Sequence, residues 1–255
     1  MKKEDLNKFK DVVGFNLWQA EKDYLQHLFL FFLSRKTKNE LVFKGGTALQ
    51  KTFGLNRFSI DLDFTLAAPN LQLVGIVEKI INEYDALDYH SSHSSKETNV
   101  SETFFIKTQG PLYLGSEASL STLRVEVSKR EPVVLPPEFK EIKPAYSDVM
   151  PYTLLVMDLK EILAEKIRAI MTRKKPRDAY DAYFLLQKKV ELKTELLSKK
   201  LEYYDIEFSE AAFEERLASL ESIWEKELSH LMAAVPNYLE VKNFLTGKIK
   251  AVSES

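Results

Sequence analysis

Two aspartates, Asp61 and Asp63, stand two residues apart in FSIDLDFTL, a stretch that alternates like a strand. Strand periodicity puts both carboxylates on one face. Side by side they repel unless a cation lies between them. Mg²⁺ suits such a pair, because it commonly joins one or two carboxylates to substrate phosphates. The plain alternative is the solvated face of an edge strand, where paired acids cost little. Just upstream, FKGGT reads as a short apolar strand broken by Gly45 and Gly46, with Thr47 opening a helix that Gly54 ends. Glycines let a backbone approach a phosphate, and a helix start offers N–H groups and a positive dipole end. Thr47 either caps that helix or touches a phosphate oxygen. An ordinary strand-to-helix turn would use the same residues.

Three further positions could join this chemistry. In LRVEVSKRE, Arg124, Glu126 and Ser128 share one strand face, so Glu126 is a candidate third metal ligand; a salt bridge to Arg124 or Arg130 is the alternative. In EILAEKIRAI, Lys166 follows Ile162 and Leu163 by one helical turn and precedes Ala169 and Ile170 by another. It therefore lies on the apolar stripe. Its stem can pack while its ammonium reaches a phosphate, or simply snorkels to water. In RKKPRDAYDAY, Asp178 and Asp181 are three apart on one helix face. First-turn acids favour the helix dipole, and Asp178 could also orient Lys166 or an acceptor. The basic run Arg173, Lys174, Lys175 and Arg177 suits phosphates of a nucleotide or RNA, although such runs are usually solvated. His27, His90, His93 and His230 form no metal-ligand pattern, and the chain has no cysteine.

Elements must hold these groups in place. Leu25, Leu28, Phe29, Phe32 and Leu33 predict a core helix. Strands are expected at Leu41–Phe43, Ser59–Leu66, Phe104–Ile106 and Leu123–Val127, with a helix after Pro69 that buries Val74, Val77, Ile80, Ile81 and Tyr84. Tyr89–Thr98 is polar and loop-like. The proline-rich connection Arg130–Pro144 marks the domain boundary, and helices are expected beyond it. The division is 1–143, a mixed αβ core with an N-terminal helix, and 144–255, a helical domain contributing Lys166 and Asp178. The 255 residues carry a net charge of only -2, which excludes whole-surface attraction to nucleic acid but not a local basic patch. The charged amino terminus has no signal-peptide core, and Tyr24–Leu33 is too short to span a bilayer. A cytoplasmic protein with no membrane partner is expected.

Taken together, FKGGTAL…GLNRFSIDLDF, LRVEVSKRE, EILAEKIRAI…RKKPRDAYDAYFL and the late WEKELSHLM…P resemble the AbiEii family of nucleotidyltransferases. These are toxins of type IV toxin–antitoxin and abortive-infection systems, with the MenT toxins among their relatives. The resemblance runs from about Leu41 to Leu245. It implies an α+β fold: a DNA polymerase β-like nucleotidyltransferase core with a small mixed sheet, plus a helical C-terminal domain. It implies that Gly45, Gly46 and Thr47 bind the triphosphate, that Asp61 and Asp63 hold Mg²⁺, and that Lys166 and Asp178 are essential positions. Arg57 and Ser59 fall in the family's R-[FY]-S-x-D pattern, as groups that orient the metal strand or touch nucleotide.

The expected reaction is Mg²⁺-dependent transfer of a nucleotide from an NTP to an acceptor hydroxyl, with two metal ions and release of pyrophosphate. The family points to an RNA acceptor, a tRNA 3′ end in some members, and to a separate antitoxin protein. The alternatives are transfer to a small molecule or protein, and a non-catalytic NTP-binding or regulatory protein.

Overall fold

The computed structural model describes residues 1–253. They form two compact units. The first comprises Met1–Gly54, Phe58–Val133 and Pro137–Val156; the second comprises Leu55–Arg57, Val134–Pro136 and Met157–Ser255.

The first unit is a mixed sheet with helices. Its elements in chain order are α1 (Lys3–Val13), α2 (Leu17–Lys36), β1 (Leu41–Lys44), α3 (Gly45–Phe53), β2 (Leu62–Leu66), α4 (Leu73–Asp85), β3 (Ser91–Glu97), β4 (Ser101–Thr108), β5 (Ser121–Ser128), β6 (Glu138–Ile142) and β7 (Tyr152–Val156). The seven strands lie in the order β3-β4-β5-β2-β1-β7-β6. The β1/β2 pair is antiparallel, whereas β2/β5 and β1/β7 are parallel. One register row crosses four strands, joining Lys44, Asp63, Glu126 and Thr103. Residues in register share a sheet face, so Asp63 and Glu126 are same-face neighbours.

The core helix starts earlier than the hydrophobic spacing suggests. Asn16 caps α2 through a reciprocal box: its side chain accepts from Gln19 N at 2.9 Å, and its own N donates to Gln19 Oε1 at 3.0 Å. The helix is buried almost all round between Gln19 and Leu30, including Glu21, Lys22, Asp23, Gln26 and His27. It packs against α1, α4, β5 and β7. Phe43 and Phe64, 5.1 Å apart at their ring centres, sit in the core with Leu62, Phe104, Val125 and Val127.

Several expectations need correction. The polar stretch Ser91–Glu97 is an edge strand, paired to β4 along its length; most of its residues are exposed, so it needs no apolar alternation. β6 lies inside the proline-rich connection read as the boundary, and β7 lies beyond it, where helices were expected; both complete the first unit's sheet. Val74 is exposed, while Val77, Ile80, Ile81 and Tyr84 are buried. Asp61 precedes β2 rather than lying within it.

The second unit is helical: α5 (Leu159–Thr172), α6 (Pro176–Gln187), α7 (Thr194–Glu202), α8 (Glu210–Ala218), α9 (Trp224–Leu228) and α10 (Tyr238–Ser253). α5 packs on α6, α7 and α8, and α10 packs on α6 and α8. Pro176 starts α6, where its missing N–H costs nothing. Leu196, Leu197 and Leu201 bury the face of α7, a helix the sequence reading did not anticipate.

Candidate functional site

In the first unit the glycine turn meets one of the two acids, Asp63. β1 ends at Lys44, and Gly45 follows with φ +74°, a conformation L side chains rarely adopt. A Cβ built on Gly45 would stand 2.6 Å from Asp63 Oδ2. The Asp63 carboxylate therefore lies directly on the Gly45 backbone, in space that only a glycine leaves open. α3 begins at Gly45, two residues earlier than Thr47, and no side chain caps it. Gly54 ends it in the left-handed conformation, as expected.

Asp63 is fixed by the strand ladder, but Asp61 is not. The segment before β2 is held instead by side chains from α2 and α3. Gln26 Nε2 donates to the carbonyls of Ser59 and Ile60, both at 2.9 Å. Gln50 Oε1 accepts from Ser59 N at 2.8 Å. The Thr47 hydroxyl donates to the Asp61 carbonyl and lies 2.8 Å from Ser59 Oγ. Thr47 and Gln26 have no exposed surface. Thr47 and Ser59, read from sequence as candidate nucleotide contacts, thus have their hydroxyls engaged inside the fold. Gln26 and Gln50 were missed, because a glutamine leaves no local pattern that marks a distant carbonyl as its partner.

Behind these residues lies a buried charge centre. Asp23 accepts from Lys51 Nζ at 2.8 Å, Gln50 Nε2 at 3.1 Å and the Tyr146 hydroxyl at 3.0 Å. Burial pushes the Asp23 carboxyl up, but the Lys51 charge, with hydrogen bonds from Lys51 and Tyr146, outweighs it and holds it below its ordinary value. His27 lies 2.8 Å from the Tyr152 hydroxyl through Nδ1. Burial, aided by the Lys51 charge and opposed by Asp23, lowers its pKa to about 3, so the ring is neutral.

Glu126 makes the salt bridge that was its alternative role. It is the register neighbour of Asp63, and its carboxylate also pairs with Arg124. Arg124 Nη1 reaches Asp61 Oδ2 at 3.7 Å, so one guanidinium stands between the two acids. The donor set fits Mg²⁺. Among the described residues no group of three or more His, Cys, Asp or Glu could hold a metal by itself. Mg²⁺ needs only one or two carboxylates when phosphate oxygens and water complete its shell, and Asp61 and Asp63 are acids of that kind.

The second unit holds the other candidates in a buried ion network. Lys166 Nζ contacts Asp178 Oδ1 at 3.0 Å and Asp181 Oδ2 at 2.7 Å. Arg57 grips Asp181 with two bonds of 2.7 Å. Arg173 holds Asp178 at 2.8 and 3.0 Å. Burial raises both aspartates, but their cations win: Lys166 and Arg173 hold Asp178 well below the carboxylate range, and Arg57 and Lys166 hold Asp181 below its ordinary value. Asp178 does orient Lys166. Asp181, read as a dipole residue, is an equal partner. Its signal was its place three residues after Asp178, with Arg57 far away in sequence. Lys174 and Lys175 are exposed beside this network.

The model of the family described as "Nucleotidyl transferase AbiEii toxin, Type IV TA system" matches residues 30–246. The fold matches MenT4, a nucleotidyltransferase toxin from Mycobacterium tuberculosis H37Rv, at TM-score 0.68 and 20% identity, covering 100% of this chain and 90% of that one. It also matches JHP933 from Helicobacter pylori at TM-score 0.54 and 20% identity, over 92% of each chain. No curated protein sequence matches. Among the described residues no helix is long and apolar enough to cross a membrane.

Proposed function

We propose that this chain, which belongs to the AbiEii family of nucleotidyl transferase toxins of type IV toxin–antitoxin systems, transfers a nucleotide from an NTP to the terminal hydroxyl of an RNA. The observation that carries this reading is the Asp63 carboxylate packed on the Gly45 backbone. It brings a metal-binding acid beside a glycine turn that opens a helix, the arrangement that binds phosphate.

In the reaction the acceptor oxygen bonds to the α-phosphorus and pyrophosphate leaves. Asp61 and Asp63 would hold Mg²⁺, with Glu126 within reach of the same row. When bound, the ion would neutralise charge developing on the phosphates and acidify the acceptor hydroxyl. The residues themselves do the positioning. The amides of Gly45 and Gly46 receive phosphate oxygens. Gln26, Gln50 and Thr47 keep the backbone of Ser59–Asp61 from shifting. The family resemblance adds Lys166 and Asp178, whose ion network fixes the ammonium. Arg57 supports that network through Asp181.

An RNA acceptor is favoured by the exposed basic run around Lys174 and Lys175; docking through so few cations should weaken steeply with salt. The test incubates the protein with Mg²⁺, each α-labelled NTP and total RNA. Wild type should label an RNA band, and Asp61→Ala and Asp63→Ala should not. Equal labelling by the Asp63→Ala protein would overturn the mechanism. Label on protein or on a small molecule would move the acceptor to another class. A cognate antitoxin, a separate chain, should suppress the labelling.

A further inference from the structure

The first unit carries an exposed aromatic that the reading above does not use. Trp18 is 49% exposed, near the start of α2. Residues 18, 22 and 26 recur every fourth position and so form one stripe of that helix. The stripe follows the segment that leads to the acids. Trp18 packs edge-on against Phe58, ring centres 5.9 Å apart, and Gln26 bonds the carbonyls of Ser59 and Ile60. Between them, Lys22 Nζ lies 5.3 Å from the Trp18 ring centre. Lys22 is buried and senses the Asp61 carboxylate, whose charge opposes the loss of basicity that burial imposes.

We infer that Trp18 is the stacking platform for the base of the incoming NTP. Three features select this occupant. An indole buttressed by Phe58 and Lys22 is a rigid, flat, half-open surface, which suits a π-face. A cation lies next to it, and a phosphorylated ligand carries negative charge. The stripe runs from the indole toward Asp61, as a nucleotide runs from base to phosphate. Stacking is tolerant of base identity, so the platform predicts affinity for all four NTPs with modest preference among them. The other tryptophan serves a different purpose: Trp224 is buried and bonds the Pro236 carbonyl through its indole N–H.

The inference rests on the nucleotidyl-transfer reading, and its test separates the two. Tryptophan emission is followed while ATP, GTP, CTP or UTP is added with Mg²⁺, beside inorganic tripolyphosphate and a short RNA. Wild type should be quenched by every NTP and not by tripolyphosphate, and Trp18→Phe, which retains buried Trp224 as reference, should lose the quench. In the labelling assay Trp18→Ala should raise KM for NTP about tenfold, the effect of one lost stack, with kcat little changed. Trp18→Tyr should recover most of the affinity. Transfer by wild type without NTP quenching, quenching by RNA alone, or an unchanged KM in Trp18→Ala would each overturn the platform while leaving the transfer reading intact. Absence of both transfer and quenching would remove both.

Discussion

Asp61/Asp63 and Asp178/Asp181 are two aspartate pairs with opposite fates. In the first unit, Asp61 keeps 18% of its side chain exposed and lies 3.7 Å from Arg124, while Asp63 leans on a bare glycine backbone. In the second, Asp178 and Asp181 have no exposed surface, and their oxygens are gripped by Lys166, Arg57 and Arg173 at bonding distance. A carboxylate surrounded by protein cations has no capacity left for an ion from solution. Its removal strands those cations in the interior. A carboxylate at an open turn can exchange a loose partner for a divalent ion. Spacing alone does not separate the two cases; the neighbours do.

The largest expected effect breaks the first pair. Asp63→Ala should reduce nucleotide transfer by about a thousandfold or more, since a ligand to the transition-state charge is lost. The second pair should respond chiefly in stability. Asp181→Ala leaves Arg57 and Lys166 short of a buried partner and should cost about 3–5 kcal/mol in urea denaturation. A stable Asp181→Ala protein would break the comparison.

Gly45→Ala tests the contact on which the proposed metal-binding pair depends. The added methyl would meet Asp63 Oδ2 at 2.6 Å with φ at +74°. Displacing that carboxylate by about 1 Å should lower kcat about a hundredfold, measured beside the wild type at saturating Mg²⁺.

A pH series sharpens the contrast with a smaller effect. His27 is held at about 3, below its ordinary 6.5. The unfolded chain therefore binds the proton first, and this contribution is complete above 6.5 and lost as pH falls toward 3. Asp178 and Asp181 are also depressed, so their contribution is complete above the unfolded carboxylate value of about 3.9 and lost as pH falls below it. Stability lost between pH 6.5 and 4.5 should thus come from His27 in the first unit. His27→Gln should flatten that limb by about 2 kcal/mol. An unchanged slope would show that the imidazole is already protonated in the native state.

Much of the site was legible because local chemistry writes it. The strand alternation from Leu62 to Leu66 that carries Asp63, the glycines at 45, 46 and 54, and the apolar stripe carrying Lys166 all follow from short-range sterics and periodicity, and all reappear in the structure, whereas Asp61 falls just outside the strand. The edge strand at Ser91–Glu97 was hidden because strand pairing can hold a polar sequence with no apolar face. β6 and β7 were hidden because short strands next to prolines carry little period.

The amino-acid order by itself determined which acids sit together, where the helix near Gly45 turns, and which lysine rides an apolar face, since each depends on neighbours within one turn or one pleat. Only the tertiary structure decided which acids are spent. Arg57 reaches Asp181 across 124 positions, and Gln26 reaches Ser59 across 33. Partners so far apart are chosen by how the elements pack, and no period in the chain records that choice.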